Sequence, residues 1–165
     1  MGWRCVPFGE LTGQEVHDIL QARSAVFVVE QRCVFLDVDG ADPECWHLYS
    51  RDSQGAIDAC CRLVPPGIKF AEPSIGRVVT TASARGTGRG REMMRLAVAH
   101  AEKLWPGQAL RIGAQQYLER FYGGFGFATV SAPYDEDGIL HVEMVRPASG
   151  VPDGAVGRAG HVPTI

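Results

Sequence analysis

A single mixed α/β (α+β) domain is what this sequence predicts, on three observations. Short β-branched runs interleave with helical periodicities, turn residues mark the junctions, and the composition supplies a core. Of 165 residues, 45% are hydrophobic and 21% charged, which excludes a disordered or collagen-like chain. Sixteen Lys and Arg against nineteen Asp and Glu give a net charge of −3. That balance argues against the basic surface of a generic nucleic-acid binder, so no nucleic-acid partner is expected. No apolar run reaches the roughly 18 to 20 residues of a membrane span. The start, Met1-Gly2-Trp3-Arg4-Cys5-Val6-Pro7, lacks the long apolar centre of a signal peptide. A cytoplasmic protein with no membrane partner is the expectation.

The elements follow in order. Trp3 to Phe8 supplies a first strand, and Thr12-Gly13-Gln14-Glu15 fits a capping box that opens a helix. Val16, Ile19, Leu20 and Phe27 continue it at helical spacing to about Gln31, although the late Val26-Phe27-Val28-Val29 run is poor helix sequence. Asp37-Val38-Asp39-Gly40-Ala41-Asp42-Pro43 is an acidic loop. It mimics the opening of a calcium loop, but the Gly comes too early and no Glu closes the pattern, so no metal is expected. Trp46 to Ser50 and Ile57 to Val64 read as strands joined by a turn at Asp52-Ser53-Gln54-Gly55, and Pro65-Pro66-Gly67 ends the second.

Ser74 to Thr81 is a further strand that runs into a Gly-rich turn. Met94, Ala97, Val98, Ala101 and Trp105 then share one helical face, and Pro106-Gly107 stops that helix. Ala109 to Gly113 reads as a strand, Leu118 to Phe125 as a short helix, and Ile139 to Val145 as the last strand. The domain is expected over 1–147, with a Gly/Pro-rich tail over 148–165. Cys5, Cys33, Cys45, Cys60 and Cys61 are odd in number and lack a CxxC or zinc-ligand spacing, which favours reduced, mostly buried thiols.

The junction at Arg85-Gly86-Thr87-Gly88-Arg89-Gly90 carries the most chemistry. A helix N-terminus offers unpaired amides and a positive dipole end, and glycines let a phosphate approach the backbone. The residues alone are equally compatible with a Gly-rich turn bearing solvated arginines. A P-loop needs Lys-Ser/Thr after its last glycine, and a dinucleotide fingerprint needs one residue more, so neither fits.

Arg-x-x-Gly-x-Gly resembles the acetyl-CoA pyrophosphate motif of the GNAT superfamily of N-acetyltransferases. Ile75-Gly76-Arg77-Val78-Val79-Thr80 stands where that family places the strand that splays to admit pantetheine. Phe121-Tyr122-Gly123-Gly124-Phe125-Gly126-Phe127 resembles its Tyr-x-x-x-Gly-Phe motif. Val26 to Gln31, Leu36 to Gly40, Gly113-Ala114-Gln115 and Glu136 to Met144 further resemble the ElaA-like branch. The resemblance implies a mostly antiparallel central sheet flanked by helices and split near the strand before the Gly-rich turn.

It also implies transfer of an acetyl group from acetyl-CoA, as co-substrate, to a primary amine of a small-molecule or peptide acceptor, by direct attack on the thioester. Val78, Val79, Thr80, Arg85, Gly86, Thr87, Gly88, Arg89, Gly90 and Gln115 are the cofactor-binding positions so implied. Gln115 stands where many family members carry Asn. Tyr122 corresponds to the tyrosine near the CoA sulfur and is the candidate general acid. For amine deprotonation Glu30, Asp37, Glu72, His141 and Glu143 are eligible, with Glu30 and His141 the catalytic candidates. The acidic loop is an attractor for a cationic amine or a solvated turn. The alternative function is a non-catalytic acyl-CoA sensor or interaction module, and a nucleotide-binding protein using the same turn is a third. The oligomeric state is left open, a homodimer included.

Overall fold

The computed structural model describes residues 2–149. Residues 150–165, most of the expected tail, lie outside the described residues. Strand β1 (Trp3–Pro7) is followed by helix α1 (Gly13–Arg23), which opens on the expected capping box: Thr12 Oγ1 accepts from Glu15 N–H at 3.1 Å, and Glu15 Oε2 accepts from Thr12 N–H at 2.7 Å. The helix does not continue to Gln31 as an α-helix. At Ser24–Glu30 it widens to i→i+5 hydrogen bonding, closed by Gln31 N–H donating to the Val26 carbonyl at 2.9 Å. The β-branched Val26, Val28 and Val29 that weaken an α-helix occupy this widened turn.

Strands β2 (Trp46–Arg51), β3 (Ile57–Val64) and β4 (Ser74–Thr80) complete an antiparallel sheet of order β1-β2-β3-β4. Helix α2 (Arg89–Leu104) leads to β5 (Leu110–Gln115), and α3 (Glu119–Gly123) to β6 (Ala128–Thr129), β7 (Tyr134–Glu136) and β8 (Ile139–Arg146). These strands form a second antiparallel sheet of order β5-β8-β6, with β7 paired to the far part of β8. Strands β6 and β7 are additional to the sequence reading. The Asp137-Gly138 turn joining β7 to β8 has φ of 53° and 82°, the left-handed pair that a two-residue hairpin requires.

Every residue of β3 is buried, because helices cover both faces of its sheet. On one face Met93, Met94, Ala97 and Ala101 of α2 belong to the same core as Leu48, Cys61, Leu63 and Ile75. On the other, Ile19, Ala22, Val26 and Phe27 pack with Tyr49, Cys60 and Val79. Burying each of the larger aliphatic side chains contributes roughly 1.5–3 kcal/mol. Trp105, at the end of α2, is half-buried and packs against the same core as the rest of its predicted face, and Met93 joins that face at the other end.

The two sheets meet where Arg111 N–H donates to Pro73 O at 3.1 Å, and beyond that point β4 and β5 form no ladder. A cleft of about 1450 Å³ opens between them, lined by β4, the Gly-rich turn, β5, α3, the β7–β8 hairpin and the segment after α1. The split expected near β4 is present.

Candidate active site

The Gly-rich turn is built for close approach. Gly86 and Gly88 have φ of +76° and +84°, and a Cβ at either would meet nothing within 4 Å, so the space over the backbone is open. Gly88 is the residue before the first turn of α2, no side chain caps that turn, and the helix is 16 residues long. Its first amides are therefore open to an anion, with no capping side chain as competitor. A Cβ at Gly90 would lie 3.4 Å from the Thr80 methyl, so the third glycine lets the helix sit against the end of β4. These features fit the diphosphate of a CoA ester. Arg85, Gly86, Gly88, Gly90 and Arg91 all line the cleft.

Two implied cofactor residues are placed otherwise than their motif suggests. The Arg89 side chain leaves the cleft: its Nε lies 3.1 Å from Asp58 Oδ2, its Nη1 3.4 Å from Glu92 Oε2, and its guanidinium 5.4 Å from the Trp3 ring centroid. Only its backbone amide remains available. The Thr87 hydroxyl donates to the Ala84 carbonyl and tightens the turn.

Strand β4 carries an irregularity that the sequence did not announce. Cys60 pairs with Val79 and Arg62 with Gly76, so Arg77 and Val78 together face the single residue Cys61. This is a β-bulge, and Arg77 adopts φ +49° within it. The bulge turns Val78 and Thr80 to the cleft, while the Val79 side chain is sunk in the α1-side core at 1% exposure. Of the three implied β4 residues, Val79 has its main chain alone to offer.

Tyr122 is 6% exposed on α3, with Phe121 and Phe127 edge-on to its ring at centroid distances of 5.2 and 6.3 Å. Tyr122 is among the residues that line the cleft. Burial pushes this phenol well above its ordinary range, so it stays protonated at working pH.

Glu30 and His141 come to the same cleft. Glu30 is not free: its Oε2 lies 2.6 Å from Arg85 Nη2, which also donates to Thr80 O at 3.0 Å. His141 Nδ1 lies 2.8 Å from the Ile139 carbonyl, which only accepts, so Nδ1 carries a proton. Its Nε2 lies 3.2 Å from Glu136 Oε2, and its ring stacks on Tyr134 at 6.0 Å. Gln115, at the end of β5, exchanges carboxamide hydrogen bonds with Gln31 at 3.2 and 3.4 Å. Glu72 and Glu143, both eligible as bases by sequence, are bridged by Arg111 at 2.8 and 3.0 Å. Gln31 and Glu136 entered the sequence reading within stretches that resemble the branch, with no role in the site, and Tyr134 did not enter it. The Asp137-Gly138 hairpin signal would have placed Tyr134 opposite His141 and Glu136 opposite Ile139.

The acidic loop is neither a solvated turn nor a free attractor for a cation. Arg23 Nε pairs with Asp37 Oδ2 at 2.9 Å and its Nη1 with Asp42 Oδ1 at 2.8 Å, while Arg62 spans Asp39 and Asp42 at 2.7 and 3.0 Å. Hydrogen bonds from Arg62 hold the Asp39 carboxyl far below the usual range against the opposing effect of burial. Burial pushes Asp42 up, but Arg23 and Arg62 outweigh it and keep the carboxyl below its ordinary value. Both arginines are buried. Asp37 and Asp39 are thus committed to internal cations, which removes Asp37 as a base.

All five cysteines are free, and Cys33, Cys45, Cys60 and Cys61 are buried. Among the described residues no helix is long and apolar enough to cross a membrane.

Residues 67–147 match the family model described as an acetyltransferase (GNAT) domain. A UPF0039 protein of Synechocystis is 39% identical over 145 residues, covering 88% of this chain and 94% of its own length. Protein ElaA of Escherichia coli is 34% identical over 146 residues, covering 87% and 95%. Among solved structures, an acyl-CoA N-acyltransferase from Pseudomonas aeruginosa superposes with a TM-score of 0.83 at 38% identity, over 88% of this chain and 99% of that one. The crystal structure of E. coli ElaA gives 0.82 at 33% identity, over 88% and 98%. With sequence relatives of this similarity along most of both chains, and the split sheet and glycine cradle in place, the chain belongs to the GNAT acetyltransferase family, in its ElaA-like branch.

Proposed function

We propose that the protein is an N-acetyltransferase that passes the acetyl group of acetyl-CoA to a primary amine. The observation that carries this reading is the open first turn of α2, beside a split sheet, on a cleft whose wall bears the protonated Tyr122. At about 1450 Å³ the cleft exceeds the roughly 300–1,000 Å³ of ordinary small-ligand sites. That volume suits two substrates rather than one.

Acetyl-CoA supplies the acetyl group as a thioester. The first-turn amides of α2 and the turn Arg85 to Gly90 hold its diphosphate, and Gln115 binds along the pantetheine arm. Backbone N–H groups around the β4 bulge, at Val79 and Thr80, stabilise negative charge on the carbonyl oxygen as the amine attacks. The carbon–nitrogen bond forms, the carbon–sulfur bond breaks, and the Tyr122 hydroxyl gives its proton to the departing sulfur. The proton lost by the amine passes to His141 Nε2 or Glu30, directly or through water. Both residues reach the cleft, and each must first exchange its present partner.

Incubation with acetyl-CoA and a panel of amines, following free thiol and subtracting amine-independent hydrolysis, tests the reading. Amine-dependent thiol release with matching acetylated product supports transfer. Tight CoA binding without it indicates an acyl-CoA sensor.

A further inference from the structure

One carboxylate oxygen in the cleft is surrounded by cations. Asp39 Oδ2 lies 2.7 Å from Arg62 Nη2, 2.8 Å from Lys69 Nζ and 3.3 Å from Arg77 Nη2. Asp39 and all three cationic residues line the cleft. Behind them Arg23 divides itself between Asp37 and Asp42, and Arg77 Nε approaches Asp37 Oδ1 at 2.8 Å. The cluster therefore sets Arg23, Arg62, Lys69 and Arg77 against Asp37, Asp39 and Asp42, which leaves one positive charge in excess. Burial lowers the Arg77 pKa and the Arg62 charge lowers it further, with Asp37 and Asp39 compensating only in part. Arg77 is also fixed in place: it occupies the bulge at φ +49°, and its guanidinium rests 5.3 Å from the Phe35 ring centroid.

The opposite sign prevails on β7, β8 and their hairpin, where Glu136, Asp137 and Glu143 join His141 in the lining, Glu143 being shared with Arg111. The cleft thus presents a surplus of positive charge on the β3–β4 side and carboxylates beside His141.

We propose that Lys69, Arg77 and Arg62 form an anion subsite at the acceptor end of the cleft, so that the acceptor is an amine that also bears a carboxylate or a phosphate. Lys69 is the adaptable member: its side chain is 42% exposed, and it can turn from the shared Asp39 oxygen to an incoming anion at little cost in packing. A zwitterionic acceptor then lies with its anion on this cluster and its amine toward His141 and Glu136. The inference rests on the acetyl-transfer reading for the identity of the ligand but not for the existence of the subsite.

The test uses the whole protein and ligands that cannot react. Binding of N-acetylglycine is compared with N-acetylglycinamide, and of N-acetyl-O-phosphoethanolamine with N-acetylethanolamine, by titration calorimetry at saturating CoA and again without it. At least one anionic member should bind roughly tenfold tighter than its neutral analogue, and which pair shows the preference identifies the anion. Lys69→Met should abolish the preference, and Lys69→Arg should restore it, with CoA affinity as the control for folding. Equal binding of both pairs, or a preference that survives Lys69→Met, overturns the subsite. If no amine releases thiol while the Lys69-dependent preference persists, the transfer reading fails and the subsite stands. Thiol release with no such preference refutes the subsite alone.

Discussion

Glu30 and Arg85 meet across the mouth of the cleft, carboxylate to guanidinium at 2.6 Å, although one was expected on the acceptor side and the other on the diphosphate side. Arg85 cannot serve a diphosphate fully while Glu30 holds it. Both side chains are more than a third exposed, so the pair is worth at most about 1 kcal/mol. Glu30→Gln should therefore tighten CoA binding by up to about fivefold at low salt. The gain should shrink in 0.5 M salt, and the acceptor KM should rise or turnover fall. A calorimetric titration at two ionic strengths checks the first part. Unchanged CoA affinity at low salt would mean that Arg85 does not reach the diphosphate.

Removing only the Tyr122 hydroxyl should lower turnover by roughly 10² to 10⁴ with little change in CoA affinity. Because burial keeps this phenol protonated, the rate should show no fall up to pH 9 attributable to its ionisation. Tyr122→Phe at full turnover, with chemistry rate-limiting, would assign the ring to packing.

Gly88 precedes α2 at φ +84° with open space above it. A Cβ there costs about 1–2 kcal/mol in backbone strain, which a folded domain tolerates, whereas a side chain over the first-turn amides blocks diphosphate approach. Gly88→Val should remain folded by circular dichroism and lose CoA binding. Retained affinity in the folded variant would move the diphosphate elsewhere.

Asp42 Oδ1 is shared by Arg23 and Arg62, which are 1% and 2% exposed. Asp42→Asn leaves two buried guanidinium groups short of a counter-charge and should destabilise the protein by about 3–5 kcal/mol. Urea denaturation measures this directly. A change under 1 kcal/mol would show that Asp37 and Asp39 suffice.

Stability should fall on acidification in two windows. Burial holds His47 and His100 below the ordinary imidazole value, the charge of Lys103 adding to the effect at His100, so the unfolded chain takes up protons first. Their contribution is present above about pH 6.5 and declines as pH drops through that value. The lowered Asp39 and Asp42 act further down: their contribution is complete above about pH 4 and is lost below it. Urea midpoints between pH 8 and 3 should therefore decline in two steps, and His47→Gln should reduce the upper one.

Most of the architecture was legible because it is written in local signals. The capping box at Thr12, the turn at Asp52 to Gly55 and the Pro106-Gly107 stop each act within a few residues of themselves. The Gly-rich turn was legible for the same reason, since its conformation is set by glycines at the positions that require φ above zero. What escaped depends on pairing across the fold. The β4 bulge arises from register against Cys60 and Arg62, which neither strand encodes alone. The acidic loop looked free because its arginine partners come from α1, β3 and β4, with Lys69 between the last two. The Arg89 side chain was given to the cofactor by its motif and lost to Asp58 and Trp3, which sequence distance conceals.

The burial of four of the five cysteines should leave the folded protein slow to react with chromogenic disulfide reagents. Burial raises the thiols of Cys5 and Cys45 to about 11 and of Cys60 to about 12, and pushes Cys61 up as well. At pH 8 the thiols of Cys5, Cys45 and Cys60 hold on the order of one part in a thousand or less as the reactive thiolate. Cys33, at the cleft, is tied to the Asp137 carbonyl at 3.1 Å. Any CoA released in the test with an amine panel should accordingly be readable continuously in the presence of micromolar protein, with a low and nearly constant background. A burst of reagent consumption on mild heating would instead report opening of the β3 core, so one reagent follows both turnover and unfolding.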